Sequence, residues 1–217
     1  MKANRSVVAL FSLILVGVGV TFALPDHKSL IKSEVVQHIE LNNSNSAGLV
    51  TDVNSESVYF TIKKLQELDK SKTRYLYIES PGGEVISGLD LVEYLRSDDG
   101  KGIVCIANKA ASMAFVTLQS CETRLVTETV LLMSHGISGG TGGDTHTIKQ
   151  QLEFMEKLET MLFDLISKRL GITIEALKAH QNPEWWMVGS KEAIKENAAD
   201  GIASVTFNFR TINETKE

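Results

Sequence analysis

Short apolar runs alternate with longer amphipathic segments through the first half of the chain, and this alternation constrains the fold more than any other feature. Strand-length runs occupy Glu34–Leu41, Arg74–Glu79 and Gly102–Ala107. Each is followed by a segment with helical spacing of its apolar residues; in the second of these segments, the residues in phase are Ile86, Leu89, Val92 and Leu95. Repeated strand–helix units predict an α/β fold with a largely parallel sheet covered by helices.

The second half continues the pattern with a longer helix. Residues 124–126 and 130–133 predict a strand pair or one bent strand that ends at Ser134-His135. A glycine-rich segment, 136–143, predicts a flexible loop, and it lacks the Gly-Lys-Ser/Thr ending of a phosphate-binding P-loop. Asp144 is a good N-cap for a long helix that ends at Gly171. The remainder predicts short helices at 174–179 and 190–197, a loop at 181–184 and a last strand at 202–209.

The length and charge of the chain limit its domain count and its partners. A chain of 217 residues with 43% hydrophobic residues suffices for one well-buried domain, which we place at 34–210, followed by a polar tail at 211–217. The formal net charge is −5 and no Lys/Arg-rich run occurs, so the sequence predicts no nucleic-acid partner.

Residues 1–24 predict an export signal or a membrane anchor. Lys2 and Arg5 precede a run without charge that extends from Ser6 to Pro25. A small-residue cleavage site at Ala23 favours a signal peptide, while the length of the run also suits an uncleaved span. The basic flank predicts a cytoplasmic N-terminus. In both cases the polar segment 25–33 is a tether, and the domain lies outside the cytoplasm, periplasmic or membrane-anchored.

The chain contains two cysteines, Cys105 and Cys121. In an oxidising compartment they could form a disulfide, and otherwise they are two buried thiols. Their spacing matches no zinc motif, and the sequence predicts neither a metal nor a cofactor.

Ser112 is the candidate nucleophile. It lies in an Ala-rich stretch that follows a predicted strand and opens a predicted helix, Ala110 to about Gln119. Unpaired backbone N–H groups at a helix N-terminus can bind an oxyanion, and the amide of Met113 is the first candidate. The glycine pair Gly82-Gly83 could supply a second amide, because nothing beyond the backbone blocks a substrate there. The alternative is that Ser112 only caps the helix.

His135 is the candidate base among five histidines, because it follows an apolar strand and precedes the glycine-rich loop. His27 in the tether and His146 in the first turn of the long helix are expected to be solvated, His38 falls on the first strand, and His180 falls at a helix end. A Ser-His pair at adjacent strand ends can perform acyl transfer.

Three motifs in this order resemble the Clp protease proteolytic subunit family: Tyr77–Gly83, Ala110–Ala114 and Leu132–His135. The resemblance extends from about Val35 to Val205. It implies the ClpP/crotonase fold of stacked βαβ units with a long protruding helix, and it implies serine peptidase activity on peptides or unfolded proteins.

The same resemblance assigns roles residue by residue. It implies Ser112 as nucleophile, His135 as base, and the amides of Gly83 and Met113 as the oxyanion hole. Further glycines are expected to bind substrate, namely Gly82, Gly139 and Gly140.

The third catalytic position departs from the family pattern, which usually has an aspartate before an aromatic-Leu/Met pair. Glu184 takes that place before Trp185-Trp186-Met187, and Asn182 is the second choice. A glutamate can orient an imidazole on other folds. Two alternatives remain: a signal-peptide-peptidase-like Ser-Lys dyad using Lys109, and a peptide-binding scaffold with an impaired triad.

The resemblance also implies a homo-oligomeric ring, with the helix of 144–170 as a subunit contact. Cytosolic relatives work with an ATP-driven unfoldase. Because ATP is not expected outside the cytoplasm, we expect this protein to act without one.

Overall fold

The computed structural model describes residues 35–209. The predicted signal or anchor (1–24), the tether (25–33) with His27, and the tail (211–217) lie outside the described residues.

Strands and helices alternate along the described chain. The strands are β1 Val36–Leu41, β2 Ser46–Leu49, β3 Tyr75–Ser80, β4 Val104–Ala111, β5 Thr123–His135, β6 Glu184–Val188 and β7 Gly201–Phe207. The helices are α1 Ser55–Glu67, α2 Val85–Arg96, α3 Met113–Gln119, α4 Thr145–Leu170, α5 Ile174–His180 and α6 Ser190–Lys195.

These strands form one sheet in the order β1-β7-β5-β4-β3-β2, and β6 pairs with β5 beside this path. The pairs along the path are parallel, and β6 is antiparallel to β5. The predicted α/β class with a largely parallel sheet is confirmed. The carboxyl ends of β3, β4 and β5 lie side by side, because Ser80 pairs with Ala110 and Ala111 pairs with Met133.

Strand β4 is longer than the sequence suggests, and this moves the start of the following helix. Ala110 and Ala111 were expected in the helix, but they belong to β4, and α3 begins at Met113. Pairing on both sides of β4 overrides the helix propensity of alanine. The two strands missed by the sequence pattern are β2, which is made of small residues, and β6, which includes part of the expected loop at 181–184.

The buried face of α2 also differs from the predicted phase. Ile86 is 55% exposed, whereas Leu91 and Leu95 are buried. Gly88 determines which face of α2 is buried. A Cβ at this position would come within 2.3 Å of the Met113 side chain, so α2 approaches α3 closely at Gly88. The spacing of the apolar residues alone does not predict this close contact between the two helices.

Helix α4 is buried against the domain through its C-terminal half. Its buried residues all follow position 161: Leu162, Phe163, Ile166, Ser167 and Leu170. In the N-terminal half, Leu152 and Phe154 are about half exposed. The helix ends at Gly171, which adopts the left-handed conformation (φ 75°) expected of a glycine C-cap. The predicted bounds of this helix are confirmed, and its first half protrudes from the domain.

A buried ion pair fixes the far end of α3. The Arg124 side chain is 1% exposed; its Nη2 lies 2.6 Å from Asp200 Oδ1, and its Nη1 donates to Gln119 Oε1. Burial raises the pKa of Asp200, but the hydrogen bonds and the positive charge of Arg124 lower it by more. The pKa of Asp200 therefore lies below its usual value. Removing one partner of such a pair typically costs about 3–5 kcal/mol. The pair therefore ties α3 and β5 to the turn before β7.

Cys105 in β4 and Cys121 after α3 form a disulfide, which resolves the question that the sequence left open. Both residues are buried. The sulfurs join positions 16 residues apart, and a loop of this size corresponds to about 3 kcal/mol of stabilisation in the chain-entropy model. The closed loop contains Ser112.

Within residues 35–209, none of the helices combines the length and the apolar composition that crossing a bilayer requires.

Candidate active site

Ser112 lies at the sharp turn between β4 and α3. Its backbone has φ 54° and ψ −124°, and it shares a positive φ with only one other non-glycine residue among those described, Asn197. The Ser112 N–H donates to Met133 O at 2.9 Å, which anchors the turn to β5. The side chain makes no capping hydrogen bond with α3. The hydroxyl is therefore directed away from the helix that begins beside it, contrary to the capping interpretation.

His135 occupies the end of β5, the strand next to β4. Its Nε2 lies 2.7 Å from Ser112 Oγ. With a neutral imidazole protonated at Nδ1, the hydroxyl donates to Nε2. Both residues are partly buried, so the pair is shielded and still accessible. The parallel register of β4 and β5 brings these two residues together, although 23 positions separate them in the chain.

Gly82 and Gly83 form the turn after β3, where Gly82 packs against Ser112 and Gly83 packs against the backbone of Val53. A Cβ on Gly82 would lie 2.6 Å from Ser112 Cβ, and one on Gly83 would lie 2.3 Å from Val53 O. Val53 N donates to Gly82 O, and Glu84 N donates to Val53 O, both at 2.8 Å. Only glycine fits at these two positions, and the turn is held rigidly beside Ser112.

Two residues with backbone amides that are unpaired within 35–209 line the space beside Ser112. Gly83 and Met113 both line a cavity of about 50 Å³ that also borders Ser112 and His135. Among the described residues, neither amide donates to a backbone or side-chain acceptor. Met113 is the first residue of α3, so its N–H has no partner within the helix and carries the positive end of the helix dipole. The two amides can bind an oxyanion beside Ser112.

The two candidates for the third catalytic residue, Glu184 and Asn182, differ in their position relative to His135. Glu184 is the residue directly opposite His135 in the antiparallel pair of β5 and β6, so their side chains lie on the same side of the sheet. Its Oε2 accepts a hydrogen bond from Trp186 Nε1 at 2.8 Å, and no hydrogen bond between Glu184 and the imidazole is formed. Asn182 is exposed in the turn before β6. Of the two, Glu184 is the one that the sheet places beside His135.

A buried residue next to this position was not anticipated from the sequence. Gln181 is 6% exposed, and its Nε2 donates to Ser134 Oγ at 2.5 Å. Its Oε1 is buried and has no partner among the described residues. The contact joins the end of α5 to β5 one residue before His135. No sequence signal distinguishes Gln181 from an ordinary residue at the end of a helix.

Several predicted residues lie apart from the serine. Gly139 packs against Met155 and Gly140 lies in open space, and neither lines the cavity beside Ser112. Lys109 is part of β4 and pairs with Glu79 and Leu131, and the hydroxyl of Ser112 is bonded to His135 rather than to this lysine. The exposed histidines make no contact with Ser112; they are His38, His146 and His180.

No group of three or more His, Cys, Asp or Glu side chains in the described part of the chain is arranged to hold a metal ion. The chemistry available at the site is that of a hydroxyl, an imidazole and two amides.

Most of the described chain is similar to known proteases. The family model for Clp protease matches residues 34–206. The ATP-dependent Clp protease proteolytic subunit of Streptococcus mutans is 30% identical over 163 residues, which cover 71% of this chain and 81% of the relative. Subunit 1 of the same protease from Borreliella burgdorferi is 28% identical over 160 residues, covering 72% and 81%.

Proposed function

Because this chain belongs to the Clp protease family and is a serine-type peptidase, we propose that it cleaves peptide bonds through an acyl-enzyme formed on Ser112. The observation that carries the proposal is the 2.7 Å contact between Ser112 Oγ and His135 Nε2, made by a hydroxyl that does not cap its helix. The substrates are peptides or unfolded proteins, and the reaction needs no cofactor.

The first half of the reaction uses the pair and the two amides. His135 Nε2 takes the hydroxyl proton as Oγ bonds to the carbonyl carbon of the scissile peptide. The carbonyl π electrons move to the oxygen, which the N–H groups of Gly83 and Met113 stabilise. The C–N bond then breaks, and the imidazolium returns its proton to the leaving amine. The product is an ester on Ser112.

The second half repeats these steps with water. His135 takes a proton from a water molecule, whose oxygen attacks the ester carbonyl. Collapse of the second tetrahedral intermediate breaks the ester bond, and the proton returns to Ser112 Oγ. The carboxyl product leaves, and the site returns to its starting state.

Glu184 acts on His135 as a positioning residue in this proposal. It stands opposite His135 in the sheet, and a side-chain rotation that releases Trp186 brings the carboxylate toward the imidazole. We expect Glu184→Gln to lower kcat about 10- to 100-fold with a smaller change in KM, because the amide orients the ring but stabilises an imidazolium poorly. Asn182→Ala should change kcat less than threefold. Equal rates for wild type and both variants would remove Glu184 and Asn182 from the mechanism.

Labelling by a fluorophosphonate tests the nucleophile directly. The probe phosphonylates an activated serine hydroxyl with loss of fluoride, so we expect one adduct per chain at Ser112 by peptide mass spectrometry. Ser120→Ala, at the other end of the same helix, should label normally, whereas Ser112→Ala should not label. If the wild-type chain fails to label where a known serine peptidase reacts fully, the activated-serine mechanism is wrong and the scaffold alternative is favoured.

The protein works outside the cytoplasm in our proposal. Two observations support this: the basic start and uncharged run of residues 1–24, and the Cys105–Cys121 disulfide, a bond that is rare in reducing compartments. An ATP-driven unfoldase is then not its partner. In cells quenched with a thiol-blocking reagent, we expect both cysteines to be recovered as the disulfide. Recovery of two alkylated thiols would contradict the proposed location.

Assembly into a homo-oligomeric ring is the last part of the proposal. The N-terminal half of α4 contains none of the buried residues of this helix and exposes Leu152 and Phe154, so we expect a second subunit to cover it. Sedimentation of the purified chain would show a ring, and a monomer at all concentrations would exclude it.

A further inference from the structure

The cavity beside Ser112 contains one acidic side chain that the reaction does not use. Glu159 lies on α4 and is partly buried, and its Oε1 accepts a hydrogen bond from the N–H of Ile137 at 3.0 Å. Ile137 follows the catalytic histidine by two residues. The carboxylate is therefore held in place on the wall of the cavity that Ser112 and His135 also line.

Gly136 makes room for this carboxylate. A Cβ at position 136 would come within 2.7 Å of Glu159 Oε1. Any other residue there would push the acid away from Ile137 and from the cavity. The glycine and the amide that follows it together create a seat for one carboxylate oxygen, while the second oxygen keeps its capacity to accept hydrogen bonds.

The carboxylate has no cation beside it. No lysine or arginine lines the cavity, and among the described residues Glu159 forms no salt bridge. Its only titratable neighbour in the cavity wall is His135. Partial burial of an unpaired carboxylate costs free energy that a cation brought by a ligand would offset.

The remaining walls are mostly apolar, and the space between them is narrow. Aliphatic and aromatic side chains predominate, among them Val116, Leu162, Phe163 and Ile166, and the polar side chains besides the catalytic pair and Glu159 are Ser134 and Ser138. The volume of about 50 Å³ holds about four water-sized spheres, since one needs about 10–15 Å³. An unbranched chain fits such a space better than a ring. Apolar walls with a single acid suit a side chain that has a methylene stem and a positive end.

We infer that this cavity selects lysine as the substrate residue on the acyl side of the scissile bond, with Glu159 binding its ammonium group. This inference rests on the proposed function, because the cavity accepts that residue only when its carbonyl carbon lies at Ser112. The methylene stem packs on the apolar walls, and the Glu159 carboxylate forms a charge-assisted hydrogen bond with the ammonium. Glu159 is thus a residue that determines specificity and takes no part in bond breaking.

Two internally quenched peptides test the inference. They are identical except at the residue before the cleaved bond, which is lysine in one and norleucine, a neutral unbranched analogue, in the other. The wild-type protein should show a kcat/KM at least fivefold higher for lysine. In Glu159→Gln, the amide oxygen can still accept from Ile137, so the seat remains and only the charge is lost. This variant should lower the lysine-to-norleucine ratio about tenfold, the range of one charge-assisted hydrogen bond.

Glu156→Gln is the matched control, because it removes the same charge from an exposed site one turn earlier on α4. It should leave the ratio unchanged. A ratio that is the same in wild type and Glu159→Gln, or that falls equally in both variants, would overturn the inference. Failure of the proposed function gives a different result, since Ser112→Ala would then still cleave both peptides.

Discussion

Replacing Ser112 with alanine is expected to lower kcat/KM for peptide hydrolysis by roughly four to six orders of magnitude, the size of effect that loss of a catalytic nucleophile has. The substitution removes only the hydroxyl that contacts His135. Alanine keeps a Cβ, so the backbone at φ 54° is no easier to form than with serine, and the fold should be unchanged. Initial rates with a fluorogenic peptide would measure the loss.

Two controls make this result specific. Ser120→Ala changes the same residue type at the far end of α3, where the hydroxyl donates to Val116 O, and should leave the rate within twofold. Circular dichroism and the thermal midpoint should agree between the wild type and both variants. Undiminished turnover by Ser112→Ala would end every mechanism that has this serine as nucleophile.

Replacing His135 with alanine is the second large effect, and we expect a loss of similar size. Without the imidazole, none of the residues in 35–209 has a group within hydrogen-bonding distance of Ser112 Oγ that can take its proton. Lys109→Ala should change the rate only a few-fold, because Lys109 lies on β4 and Ser112 Oγ is bonded to the imidazole instead. Steady-state rates of the two variants, measured in parallel, separate the Ser-His and Ser-Lys mechanisms.

The double variant adds a further check. Residues that act as one unit are not additive, so Ser112→Ala combined with His135→Ala should be no slower than the worse single variant. An active His135→Ala beside an inactive Lys109→Ala would instead establish the dyad. Fully additive losses would mean that the two residues act independently, which their 2.7 Å contact argues against.

The sequence predicted the arrangement of the site best for reactive residues that directly follow a predicted strand. Ser112, His135 and the Gly82-Gly83 turn each follow an apolar run, and parallel strands place the residues after such runs at one edge of the sheet. Their meeting could therefore be expected before any coordinates were known. The bounds of α4 were equally accessible, because Asp144 and Gly171 are strong local end signals.

Other parts depend on contacts that no local pattern contains. Ala110 and Ala111 favour a helix by composition and join a strand because Ala110 pairs with both neighbouring strands and Ala111 pairs with Met133 of β5. Ile86 fits a helical stripe and is exposed because Gly88, not the stripe, faces α3. The position of Glu159 in the cavity wall likewise depends on how α4 packs, and it was not predicted from the sequence. Glu159 shares the face of Leu162, Phe163 and Ile166 at helical spacing, and a charged residue in an apolar stripe was the available signal.

The backbone at Ser112 has a consequence for the stability of this chain. A residue with φ 54° and ψ −124° is accommodated most easily by glycine, and a side chain there costs of order 1–3 kcal/mol. For folding alone, glycine would be the better choice at position 112, as it already is at Gly82 beside it. The chain carries a serine instead, and this hydroxyl stabilises neither the helix nor the sheet. Ser112→Gly should therefore raise the thermal midpoint while removing the hydroxyl that contacts His135.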